Sequence, residues 1–145
     1  MKTPILIAMS FVASMSFTLQ THAQEKRAKE GGGAGHSHFI KVPTTAEEIW
    51  KEIGNQQAKL AAVVAKSDLG EAHDHGYAIR DLVRALPGKV AAESKVKAEE
   101  AAVVIAKIAA AIDKSSAGGA QKTTEANVKK MATAVDELQA DLKAK

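Results

Sequence analysis

Apolar side chains recur along this chain in the three-and-four rhythm of amphipathic helices, and they do so four times. Ile49, Ile53, Gln56, Leu60 and Val63 follow one another at 4-3-4-3 spacing, a stripe with a single polar member. Leu69, Ala72, Gly76, Ile79, Val83 and Leu86 form a second stripe. Ala98, Ala101, Ile105, Ile108 and Ile112 form a third. Val128, Met131, Val135, Leu138 and Leu142 form a fourth, the cleanest seam of all. At 3.6 residues per turn each set lines one face of a helix.

The residues between the stripes agree with this division. Pro43 precedes Thr44-Thr45, and Glu47 and Glu48 each follow a Thr by three positions. Either pair can form a capping box, so the first helix is expected to start there and to run to about Lys66. The second is expected to open at Ser67 or Asp68, with Glu71 completing a box from Asp68. Pro87-Gly88 ends it, because proline clashes with a continuing helix and restricts the residue before it. The third begins between Lys89 and Ser94 and breaks at Ser115-Ser116-Ala117-Gly118-Gly119;. The fourth starts near Thr123 or Thr124. Short connections make successive helices antiparallel neighbours. The economical arrangement over residues 43–145 is an all-α, up-down-up-down four-helix bundle. Three packed helices with a detached fourth are the alternative.

The first 42 residues follow different rules. Lys2 is the only charge before Glu25, Pro4 to Leu19 is apolar, and Thr21-His22-Ala23 places small residues at −3 and −1 of a cleavage site. These are the marks of a signal peptide, residues 1–23, cut after Ala23 to release a periplasmic protein. The apolar run falls short of the roughly 20 residues that span a bilayer, so no stable membrane insertion is expected after cleavage. Residues 24–42 read as a flexible tail: a charged start, Gly31-Gly32-Gly33-Ala34-Gly35, then His36-Ser37-His38;.

Composition narrows the chemistry. The chain of 145 residues is 46% hydrophobic but only 3% aromatic, which favours helices packed through small and aliphatic side chains;. There is no cysteine, which excludes a lipoprotein anchor, disulfides and thioether haem attachment;. The formal charge of +3 falls by one when Lys2 leaves with the leader. With no basic cluster interleaved with aromatics, nucleic acid is not an expected partner. Nucleophile elbows, zinc-protease helices, phosphate loops and di-iron Glu-x-x-His pairs are all missing from the sequence, so no enzyme is expected.

The candidate chemistry lies in two His-x-His pairs, His36 with His38 in the tail and His73 with His75 early in the second helix. Imidazole suits copper and zinc, and these four histidines are the candidate metal ligands. Residues two apart sit about 200° apart around a helix, so His73 and His75 point towards different neighbouring helices and cannot grip one ion from one face. A first helix about 33 Å long separates the tail from His73. The seven-residue reach from His38 to Thr45 is at most about 23 Å, so two separate sites, or one shared between molecules, are expected. Gly76 lies on the stripe between the two flanks, where it either admits a closely packed helix or leaves room for a ligand. His73, Tyr77, Arg80 and Arg84 run along one flank. That line either orients an anionic ligand or pairs with acidic residues of a neighbouring helix. Met131 at a seam position reads as core filler, and a b-type haem held by His73 and Met131 is the least favoured reading.

The stretch His73-Asp-His-Gly-Tyr-Ala-Ile-Arg-Asp-Leu-Val-Arg-Ala-Leu-Pro87 resembles a group of small periplasmic proteins. The Glu-Glu-Ile-Trp-Lys-Glu-Ile run within Thr45 to Ile53 fits the same group, as does Thr124-Glu-Ala-Asn-Val-Lys-Lys130. The resemblance covers roughly residues 36–142. It implies an exported four-helix protein, often with a histidine-rich tail, encoded beside copper and other heavy-metal efflux systems. It marks His73, Tyr77, Arg80 and Asp81 as matching positions without giving any of them a role. The tail here carries only two histidines, which departs from a high-capacity metal tail. The architecture is also similar to the periplasmic four-helix cytochromes, a likeness of fold that does not fix function. The expected function is therefore a periplasmic metal-binding accessory protein, a copper or zinc buffer or carrier linked to an efflux component. A ligand-free protein-interaction bundle is the alternative.

Overall fold

The computed structural model describes residues 40–143. The expected leader, most of the tail, and with them His36 and His38, lie outside the described residues. Within those residues the chain forms four α-helices and no strand: α1 (Ala46–Ala65), α2 (Ala72–Ala85), α3 (Ala92–Ala117) and α4 (Gln121–Lys143). Sequential helices pack on each other, and α1 meets α4 along a shorter contact.

The start of α1 follows the sequence signal. Thr45 caps it, its Oγ1 accepting from the Glu48 backbone N–H at 3.2 Å, while the Glu48 carboxylate accepts from the Thr45 N–H. Of the two boxes the sequence allowed, Thr45 with Glu48 is the one that forms. Bonds donated to the Glu48 carboxylate by the Thr45 hydroxyl, the Thr45 N–H and the Thr44 hydroxyl hold it below the usual carboxylate range;.

The start of the second helix differs from expectation. Ser67 is used to close α1 instead. Its backbone lies in the left-handed region (φ 59°), its N–H donates to Val64 O, and the Asp68 N–H donates to Val63 O. This pair of bonds satisfies two carbonyls that the helix end would otherwise orphan. Asp68 then makes no side-chain cap, and the chain re-enters helix through a 3₁₀ turn, Leu69–Glu71, so that α2 begins at Ala72.

The end of α3 shows the same device with glycine. Gly119 takes φ 66°, its N–H donates to Ser116 O, and the Ala120 N–H donates to Ser115 O. The expected break at Ser115 does not occur, and α3 continues to Ala117. Each serine folds its hydroxyl back onto a carbonyl three residues earlier, Ser115 onto Ile112 O and Ser116 onto Asp113 O, and stays inside the helix;.

One core joins the stripes. Ile49, Ile53 and Leu60 of α1, Ile79 and Leu82 of α2, Ile105 and Ile112 of α3, and Met131 of α4 are all essentially inaccessible to solvent. Full burial of one such side chain contributes about 1.5–3 kcal/mol. Trp50 and Ile40 pack against this core from its edge. Three stripe positions shift by one residue relative to the sequence reading: Val64, Ala102 and Ala109 are buried where Val63, Ala101 and Ile108 were expected. Among the described residues no helix is long and apolar enough to cross a membrane.

Polar residues share the interior where α3 turns into α4. Thr124 Oγ1 lies 2.9 Å from Ser115 Oγ, and Asn127 Nδ2 donates to Ala111 O at 3.2 Å. Gln121 Nε2 donates to Val64 O at 2.7 Å, tying the start of α4 to the end of α1.

The left-handed Ser67 carries a testable cost. A non-glycine residue in that conformation is disfavoured by about 1–2 kcal/mol. Ser67→Gly is expected to stabilise the fold by about 1 kcal/mol, raising the thermal midpoint by about 4–8 °C in calorimetry. An unchanged or lowered midpoint would contradict this account of the α1 terminus.

Candidate functional site

The helix-two histidines fall in the first turn of α2, directly after the 3₁₀ turn that aims this helix. His75 faces α1. Its Nδ1 lies 2.8 Å from Gln56 Oε1. Gln56 is the polar member of the α1 stripe and is itself buried. Its amide nitrogen donates to Glu52 Oε1 at 2.7 Å, and Glu52 Oε2 also accepts from Asn55. These two bonds hold the Glu52 carboxyl below its ordinary range.

That chain assigns the imidazole tautomer. With the Gln56 amide nitrogen committed to a carboxylate, its oxygen faces the ring, so Nδ1 carries the hydrogen and Nε2 the lone pair. Burial lowers the His75 pKa from its usual value. The nearby Lys59 charge adds to this, and Asp74 and Glu71 only partly offset it;. A neutral, oriented imidazole with an outer hydrogen bond at Nδ1 has the form that a metal-ligating histidine takes.

His73 lies elsewhere. It sits one turn before Tyr77, on the flank whose hydroxyl group reaches α3: Tyr77 Oη donates to Asp113 Oδ2 at 3.0 Å. His73 Nε2 is 3.0 Å from Asp74 Oδ1, and both side chains are partly exposed. His75 thus bonds across to α1, whereas His73 meets Asp74 of its own helix. Among the described residues no group of three or more His, Asp or Glu side chains converges as a set able to hold a metal ion.

The flank of Tyr77, Arg80 and Arg84 is internally paired. Arg80 Nε and Nη2 make a two-pronged bond to Asp81 at 2.7 and 3.0 Å. The Arg80 guanidinium also stacks over the Tyr77 ring, 4.3 Å from its centroid;. Arg84 lies 3.9 Å from Asp81. Burial, followed by the Asp113 carboxylate, raises the Tyr77 pKa, so its hydroxyl remains a donor. The acidic partners come from α2 itself as well as from α3, a pairing the sequence reading did not locate.

Gly76 does not hold open space. A Cβ built there would meet Ile112 Cγ2 at 3.6 Å, an ordinary contact distance. Ile112 already fills the room that a ligand would need. Met131 is wholly buried in the apolar core, as the filler reading expected.

The sequence missed Gln56 as the partner of His75, although its position as the one polar residue in an apolar stripe was the available signal. Comparison with protein-family models finds no match for the chain, and no curated protein or solved structure matches it.

Two outcomes follow from this geometry. Gly76→Ala fits against Ile112 and gains helix propensity, so it is expected to stabilise the fold by about 0.5–1 kcal/mol, whereas Gly76→Leu collides and destabilises. Calorimetric midpoints of the two variants moving in the same direction would refute the close crossing. The second outcome concerns pH. The unfolded chain takes up a proton on His75 near its ordinary pKa of about 6.5, while the folded chain resists it;. This contribution to stability is present above that pH and is lost on acidification towards the lowered folded value. Urea unfolding at pH 7.5 and at pH 5.5 is therefore expected to show a larger loss for the wild type than for His75→Gln. Equal losses would mean that His75 is not held neutral.

Proposed function

We propose that this chain is a periplasmic, non-catalytic metal-binding accessory protein, a copper or zinc buffer or carrier serving heavy-metal efflux. It would be exported by a signal peptide cut after Ala23 and fold as an up-down-up-down bundle behind a flexible tail. The observation that carries the reading is the Glu52–Gln56–His75 relay, which orients one imidazole with its Nε2 as the lone-pair nitrogen, while burial lowers the pKa of that ring. Copper and zinc both take such a donor.

His75 alone is one ligand. The proposal draws the others from the tail pair His36 and His38, from His73 with Asp74, or from a second molecule. The resemblance to efflux-associated periplasmic proteins supports the same assignment. Support for the topology comes from contacts that join helix ends. Gln121 at the start of α4 bonds Val64 near the end of α1, and Tyr77 early in α2 bonds Asp113 late in α3. Lys97 near the start of α3 lies 3.9 Å from Asp141 near the end of α4. A ligand-free interaction bundle is favoured by one separate observation, the exposed valines on the outer side of α3.

Calorimetric titration with copper(II) and zinc tests the metal reading. Binding is expected, and is expected to weaken in His36→Ala/His38→Ala or in His73→Ala/His75→Ala. Unchanged binding in both double variants, or none in the wild type, would discard it. Thermal unfolding locates the site. Metal at a hundredfold excess over Kd stabilises a folded-state site by about 2.7 kcal/mol, whereas a site confined to the tail leaves the midpoint unmoved.

A further inference from the structure

The helix α3 buries one face and leaves the opposite face, which carries exposed valines, uncovered by any other described helix. Ala98, Ile105, Ala109 and Ile112 point into the core, and α2 and α4 pack on the two flanks. On the outer side Val96, Val103 and Val104 are 60%, 56% and 50% exposed. Three of the four exposed large hydrophobic residues among those described therefore lie on this one surface, the fourth being Val42.

The surface has a regular pattern. Val96, Glu100, Val103, Lys107, Ala110 and Lys114 recur at 4-3-4-3-4 spacing, an outward stripe confined to about 80° of the helix circumference;. This is the spacing of a helix–helix seam, set on the side of α3 that no other described helix covers;. All six side chains are exposed. The neighbouring Lys95 and Lys97 are committed to Glu99 and Asp141. Glu93, Glu100, Lys107 and Lys114 make no ion pair with another described residue.

The order of these charges selects the partner. Acidic residues occupy the first half of the outer face and basic residues the second. Turning a second copy of α3 end for end, about a point between Val103 and Val104, sets Glu93 against Lys114, Glu100 against Lys107, and Val96 against Ala111. Val103 of each copy meets Val104 of the other at the centre. Twofold symmetry repeats each pair, so the face is complementary to itself. A parallel alignment would set glutamate on glutamate and lysine on lysine.

We propose that the outer face of α3 is a homodimer interface, in which two copies of this chain pack α3 antiparallel across a twofold axis at Val103 and Val104. The charged stems lie along the valines with their ends paired, so association is steered by charge and weakens as salt rises.

The natural absence of cysteine makes the test direct. In the full chain, Val103→Cys is expected to give a disulfide-linked dimer on mild oxidation, while Lys122→Cys, exposed at the start of α4, does not. Adding Glu100→Lys should strongly reduce the cross-linked yield, and adding Lys107→Glu to that variant should restore it. Without cysteine, the full chain should sediment as a dimer, and Val103→Glu/Val104→Glu as a monomer with unchanged far-UV circular dichroism. A wild-type monomer at all concentrations overturns the proposal. So does a double charge reversal that fails to restore cross-linking. A Val96→Cys variant that links to itself as readily as Val103→Cys would indicate a parallel pairing and overturn the antiparallel geometry.

Discussion

The close crossing of α2 and α3 at Gly76 and Ile112 is the contact on which the rest of the arrangement depends. With no disulfide and no aromatic residue at the centre, the core is held by aliphatic side chains from four helices, and their axes must approach closely for such short groups to meet. Ile112 lies over Gly76 at ordinary contact distance. That crossing fixes the rotation of α2 about its own axis. One flank of α2 then presents Tyr77 to Asp113 on α3, and the other presents His75 to Gln56 on α1. The chemistry of both flanks follows from one apolar contact between them.

Polar groups inside this core are not left to chance. Gln56 is buried, but its amide bridges a carboxylate and an imidazole, so both ends are used. Ser115, Thr124 and Asn127 satisfy one another and nearby carbonyls at the α3–α4 turn. Because an unpaired buried polar group costs about 1–3 kcal/mol, these contacts restrict the bundle to one register more sharply than the interchangeable aliphatic contacts do. Gln121 shows the limit of this economy. Its Nε2 bonds two acceptors, while its buried Oε1 has no partner among the described residues.

Much of the fold was legible in the sequence because helix stripes and caps are local signals. Thr45 with Glu48, the 3-4 spacing of α4 and the stop at Pro87 depend only on residues within a turn or two of each other. What was misread depended on competition between neighbours. Ser67 carried the signature of a helix start, yet α1 needed it as a left-handed terminator first. Ser115 and Ser116 carried the signature of a break, yet each found a carbonyl within its own helix. The site was legible only in part. Periodicity placed His73 and His75 on opposite flanks, but it could not say that the polar residue in the α1 stripe was there to meet one of them. The partner lies 19 positions away, and a stripe records only that a position faces inward.

The placement of the aromatic residues has an optical consequence. Within residues 40–143 the aromatic side chains of the Trp and Tyr types are Trp50 on α1 and Tyr77 on α2, and all three phenylalanines precede residue 40. Trp50 packs against the edge of the core, and the Tyr77 ring is covered by the Arg80 guanidinium. Intrinsic fluorescence and near-ultraviolet circular dichroism of the bundle therefore report on its first two helices. The α3–α4 hairpin carries no such chromophore of its own, so a rearrangement there is seen only where it disturbs Tyr77 at Asp113 or the packing around Trp50.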